Sequence, residues 1–292
     1  MNYVFNAAKL VLLGAVSCVV LFSIGNAVAG EEGVLFALII WLAIVAGFYG
    51  LSDKIVVKMC RAEMLTVYHS PALFKTVEDV CNQTRFPMPK MYMISEDGPN
   101  VGSVGFGARR AGLLFTEGVA KLLTNDELRS AIAHQFVQVR RMDTAVGMVA
   151  GVIAMMLGMN SKIARERASA HDSGSRRQAF MRFGFRGALI LLAPIASYAV
   201  RMLLNLKRVF KLDDSASSIT GKPLDMANTI RTMEKKKYLF PTQIPPAVGH
   251  LFVVSPIRSV PVMSLFKSHP PMEERIQRLE ALQRSVHGLS GA

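Results

Sequence analysis

The chain has 292 residues, of which 51% are hydrophobic and 19% charged, with a mean hydropathy of +0.32. That is too apolar for a purely soluble protein and too rich in strong hydrophobes for a disordered one, while the lack of a glycine period or a cysteine framework excludes collagen-like and disulfide-stapled classes. The net charge of +13 would suggest nucleic acid in a soluble chain, but basic flanks of membrane helices, held to an anionic leaflet at about 1 kcal/mol per residue, account for it.

Residues 10–29 carry no charge, and at 1.5 Å per residue they cover roughly the 30 Å of a bilayer core. A second apolar run, 34–51, follows the short link Gly30, Glu31, Glu32, Gly33. Residues 1–52 therefore read as a transmembrane hairpin. The link holds no cation, whereas Lys54, Lys58 and Arg61 follow the second run, so both ends are expected to face the cytoplasm. Residues 53–292 form the expected main domain. Cys18, Cys60 and Cys81 make no C-x-x-C pair and read as free thiols in a reducing environment.

The spacing of Leu73, Phe74, Val77 and Val80 predicts a helix over 71–84. Residues 90–94 and 112–116 read as short strands. Between them, residues 99–107 are extended and glycine-laced, without the spacing of a phosphate loop. A short helix is expected over 117–123. Thr124 and Glu127 then match a capping box that opens a helix through His134 toward Arg141.

Two more apolar runs follow, 144–159 and 187–206. The loop between them, 160–186, carries seven cations against Glu166 and Asp172. Were both runs to span, that loop would lie outside, against the positive-inside rule, so at least one is expected to stop short or the pair to form a shallow hairpin. From Lys207 the tail is polar and helical, with a proline-rich stretch before a final helix over 271–285.

The helix 128–138 resembles the active-site helix of the HtpX family of membrane-embedded zinc metalloproteases. There an H-E-x-x-H motif sets two zinc-binding histidines on one helix face, beside a glutamate that acts as general base. Here the motif reads His134, Gln135, Phe136, Val137, Gln138. Asn100, Gly107, Ala108, Arg109 and Arg110 are similar to the family's N-A-F-A-T-G-A-R-R segment, and Asp143 matches an aspartate that follows the active-site helix. Residues 266–276, with His269, Pro270, Pro271, Arg275 and Ile276, resemble T-H-P-P-x-x-x-R-I. The family's third zinc ligand is a glutamate in R-E-F-x-A-D; Arg208, Phe210 and Asp213 match that register, and Val209 stands at the glutamate.

The resemblance implies an α+β, mostly helical fold: the hairpin, then a zincin-like metalloprotease domain with a small sheet and two further apolar helices. One ligand of three remains, an amide is not a base near neutral pH, and no other histidine stands at helical metal spacing from His134. The expectation is a catalytically inactive homologue, a pseudoprotease with no metal or other cofactor, at a bacterial-type inner membrane. The positions His134, Gln135, Gln138 and Val209 are its degenerate site, with His134 expected to face the surface. Binding is assigned to Asn100, Val101, Gly102, Ser103, Val104, Gly105 and Phe106, as an edge strand that pairs with extended segments. The partners expected are the lipid bilayer and membrane proteins or an active protease. The first alternative is a residual zinc endopeptidase for membrane-protein quality control. The second is a basic module on lipid or nucleic acid.

Overall fold

Gly30 determines how the N-terminal part folds. In the computed structural model, which describes residues 2–152, 206–240, 242–256 and 269–289, helix α1 (Asn2–Met59) breaks at Ala29 and Gly30. Gly30 has φ 60° and ψ −139°, a conformation that a Cβ makes costly. The two arms fold back on one another, with Trp41 Nε1 donating to Ser17 Oγ at 3.1 Å. The backbones of Gly25 and Gly33 touch so closely that a Cβ on either would strike the other's carbonyl. Tyr3–Met59 is long and apolar enough to cross a membrane, and Phe5, Leu12, Leu35 and Ile39 on it are exposed. The two arms thus form a helical hairpin. Its second arm is seated on the domain by Arg110, whose guanidinium lies 4.5 Å from the Tyr49 ring centroid and 3.5 Å from Asp53 Oδ2.

Four strands, β1 (Glu63–Met64), β2 (Lys90–Ile94), β3 (Val101–Val104) and β4 (Gly112–Thr116), form one sheet in the order β1-β2-β4-β3. β2 and β4 are parallel, and the outer pairs are antiparallel. All residues of β3 and β4 are buried, because helices and a later segment cover both faces. Helix α2 (Pro71–Thr84) begins with proline at its first position and buries Leu73, Val77, Val80 and Cys81. It ends where Arg85 turns left-handed, and Phe86 then stacks on Phe136 at a centroid distance of 4.1 Å. Each such fully buried side chain contributes roughly 1.5–3 kcal/mol.

After α3 (Glu117–Leu122), α4 (Asn125–Arg140) opens on the expected capping box: Glu127 N donates to Thr124 Oγ1 at 3.3 Å and Thr124 N to Glu127 Oε2 at 2.8 Å. Helix α4 is central to the core, touching α2, β3, α6 (Lys207–Thr220) and α7 (Pro223–Lys237). The last helix is α8 (Met272–Leu289), packed on α6 and α7.

The apolar run expected over 144–159 begins as α5 (Asp143–Val152), whose residues are all buried by protein. A Cβ on Gly147 would meet His250 and Leu251 at 2.8 Å, and one on Gly151 would meet the Ala247 carbonyl oxygen at 3.0 Å. Its apolar character over these residues reflects a core helix, not a lipid-facing one. The basic loop 160–186, the apolar run 187–205, and residues 266–268 of the C-terminal motif lie outside the described residues.

Candidate functional site

His134 is 1% exposed, so the expected surface-facing imidazole is a core residue. The reason is its position on α4, between β3 and α6. Its Nε2 lies 3.4 Å from Asp213 Oδ1, yet neither ring nitrogen makes a hydrogen bond among the described residues. Burial lowers its pKa, Asp213 opposing, which leaves the ring neutral near pH 7. Asp213 is clasped by Arg275, Nε to Oδ2 at 2.8 Å and Nη2 to Oδ1 at 2.7 Å. Burial would raise the Asp213 carboxyl, but the Arg275 charge and its hydrogen bonds, with His134 adding, hold it at about 2.

The two glutamines turn their amides onto backbone. Gln135 Nε2 donates to Val101 O at 3.1 Å and Gln138 Nε2 to His250 O at 3.4 Å. Arg208 Nη2 reaches the same His250 carbonyl at 3.5 Å, which places the first turn of α6 beside the end of α4. Val209 is 2% exposed and stands four residues before Asp213, on the same helix face. The structure thus gathers His134, Gln138 and the helix face of Val209 at one α4–α6 interface.

The donor set does not fit zinc. Among the described residues no group of three His, Cys, Asp or Glu side chains could hold a metal ion. Val209 offers no lone pair, Asp213 spends both oxygens on Arg275, and structural zinc needs four ligands or catalytic zinc three. The other histidines are engaged elsewhere: His250 Nε2 lies 2.7 Å from Gly147 O, His269 Nε2 lies 2.9 Å from Phe252 O, and His69 contacts Thr66. His171 and the side chain of His287 lie outside the described residues. Two features run the other way, the orphaned nitrogens of His134 and the Gln135 Oε1, which accepts no hydrogen bond among the described residues.

Residues 100–105 are buried, and Phe106 is partly buried. β3 is an edge in strand order, as expected, but the chain itself meets that edge. Val253 N donates to Val101 O at 2.9 Å, and Gly102 forms a bridge with Phe252. With Gln135 as second donor, both lone pairs of the Val101 carbonyl are occupied. Asn100 clamps the same segment, Nδ2 donating to Val254 O at 2.8 Å. Gly102 is required here, since a Cβ would sit 2.9 Å from the Phe252 ring. The role of residues 252–254 is not readable from their own composition. Their signal is indirect, in the match of Asn100 and Arg275 to separate motifs, for Arg275 Nη1 also donates to Val253 O at 2.9 Å.

The profile described as Peptidase family M48 matches residues 69–283. A protease HtpX homolog of Syntrophobacter fumaroxidans is 30% identical over 283 residues, covering 93% of this chain and 97% of that protein. Another, from Syntrophotalea carbinolica, is 32% identical over 276 residues, covering 94% and 98%. The crystal structure of S. mikatae Ste24p is similar in fold, with a TM-score of 0.50 at 15% identity, over 95% of this chain and 66% of that one.

Proposed function

The chain belongs to peptidase family M48, and from that premise we propose that it is a member that has lost proteolysis and acts by binding. The observation that carries this reading is the pair of amides at the base and second-ligand positions, Gln135 and Gln138, each hydrogen-bonded to a backbone carbonyl. An amide is not a base near neutral pH, and its oxygen is not among the Cys, His and carboxylate donors that zinc takes. The chain is placed in a cytoplasmic-type membrane, its hairpin crossing twice and residues 53–292 on the cytoplasmic side. The apolar Tyr3–Met59 segment and the cations after it support this placement. Its partners are membrane-protein segments or an active protease. Pairing along β3 requires the 252–254 segment to leave the edge first.

The test is elemental analysis and a peptidase assay on the full chain, purified in neutral detergent without chelator. The expected result is zinc far below one per chain and no chelator-sensitive cleavage of an unfolded membrane protein. One tightly held zinc per chain, lost in His134→Ala, would overturn the reading. The second reading, a residual zinc endopeptidase, is favoured by one observation, the two unpartnered nitrogens of the buried His134, and the same experiment decides it.

A further inference from the structure

A cleft of about 120 Å³ lies away from His134, between the start of the first arm, the end of α4 and the first turn of α6. It is lined by Phe5, Asn6, Lys9, Arg141, Asp143, Lys207, Arg208 and Lys211, five cations against one carboxylate. A liquid water takes about 30 Å³, so the volume suits a tetrahedral oxyanion. Arg208 is 8% exposed, and its Nε and Nη1 make no hydrogen bond among the described residues; Arg141 Nε is likewise without one. Asp143 does not settle this charge. Its Oδ1 sits 3.7 Å from Arg208 Nη1 and already accepts from Asn6 Nδ2 at 3.0 Å, while its Oδ2, 3.5 Å from Arg141 Nε, makes no hydrogen bond among the described residues. Burial lowers the Arg208 pKa, Asp143 opposes this, and the Arg141 charge lowers it further. Two guanidiniums thus share one carboxylate in this cleft, and a buried cation without a counter-charge of its own favours an anion.

We infer that this cleft is a phosphate-binding site, with Arg208 and Arg141 as its buried donors and Lys9 and Lys211 at its rim. A guanidinium offers paired N–H donors that match phosphate oxygens. Lys9 immediately precedes the uncharged run 10–29. With the membrane placement proposed above, the cleft then lies at headgroup depth, and Phe5, which is exposed, offers an apolar wall to a glyceride. The phosphodiester of an anionic lipid is one source of the ligand and free phosphate the other.

The test is native mass spectrometry of the full chain, released from neutral detergent and titrated separately with dioleoylphosphatidylglycerol, dioleoylglycerol and sodium phosphate. A single retained phosphatidylglycerol per chain, with no retention of dioleoylglycerol, is the expected result. Lys9→Gln with Lys211→Gln should weaken it roughly 30-fold, taking about 1 kcal/mol per rim cation. Arg208→Gln should abolish it, its thermal midpoint in detergent serving as the folding control. Sodium phosphate that binds at low millimolar concentration and displaces the lipid assigns the site to free phosphate; a silent phosphate arm with lipid bound assigns it to the headgroup. Equal retention of dioleoylglycerol, or lipid binding unchanged in both the rim variant and Arg208→Gln, overturns the inference.

Discussion

Arg275 and Asp213, 62 residues apart in the chain, meet as a two-pronged pair with side chains 2% and 1% exposed. Arg275 also holds Val253 O, so one guanidinium ties α8, α6 and the segment on β3. Removing one partner of such a pair strands a buried charge, whereas removing both does not. Arg275→Ala is expected to cost about 3–5 kcal/mol, and Arg275→Met with Asp213→Asn clearly less than the sum of the two single losses. Denaturant unfolding in detergent, read by intrinsic fluorescence, measures both.

The same pair gives an acid dependence. Asp213 is held at about 2, below the roughly 3.9 of an unfolded aspartate, so its contribution is complete above pH 4 and is lost as pH falls toward 2. The full loss is roughly 2–3 kcal/mol. It should be absent in the double variant, where the midpoint-against-pH curve flattens over that window.

The histidines act at higher pH. Burial, with Arg208 adding, pushes His250 down to about 3, the bond to Gly147 opposing. Burial also lowers His134 and His269. An unfolded histidine takes a proton below about 6.5 while these do not, so stability falls as pH drops from 6.5. The slope is about 1.4 kcal/mol per pH unit for each histidine kept neutral. His250→Gln should reduce the slope between pH 6.5 and 4; an unchanged slope would show that His250 is protonated in the folded chain.

Rebuilding the metal site is a direct test of the interface geometry. Val209→Glu alone puts a carboxylate into a position 2% exposed and should destabilise by several kcal/mol. Combined with Gln138→His, it should give a chain whose thermal midpoint rises with added zinc, since a ligand that binds only the folded state stabilises it by mass action. A midpoint indifferent to zinc would show that His134 and the introduced groups do not converge.

Gly102 and Phe252 test the covered edge of β3. Gly102→Ala forces a methyl against the Phe252 ring, an overpacking that costs typically 1–3 kcal/mol, and Phe252→Ala opens a cavity at about 3–5 kcal/mol. Both should speed cleavage at residues 252–254 by an added protease, and crosslinks from Ser103 to a partner should increase. Val104→Pro is a poorer probe. Val101 O faces outward, so by the alternation of the ladder Val104 N–H faces β4, and proline there breaks the sheet.

Local elements were legible where one local cause dominates. Leu73, Val77 and Val80 mark α2 by spacing, and Thr124 with Glu127 marks the start of α4. Gly30 announced the hairpin turn. What sequence could not supply was the fate of each polar group. Nothing local distinguishes a surface His134 from a buried one, because burial comes from α6 and β3, both far away in the chain. The run beginning at Thr144 is apolar whether lipid or protein surrounds it; His250 and Leu251 packing at Gly147 decide for protein. Gly102 has no local reason in the sequence of β3; the reason is Phe252, which occupies the space a Cβ would take.

The contact between Gly25 and Gly33 has a consequence for how the N-terminal arms tolerate change over generations. With the membrane placement proposed above, most exposed positions on these arms accept any apolar residue, because lipid tails do not discriminate among leucine, isoleucine and valine. Two small residues eight positions apart, across a turn, cannot drift in that way, since each lets the other's backbone approach. A saturation library over residues 10–51, scored for folded full-length chain, should therefore read as a permissive field with intolerant points at Gly25, Gly33 and the positive-φ Gly30. The pairing of the two arms is then inherited through a few absent side chains rather than through the many present ones.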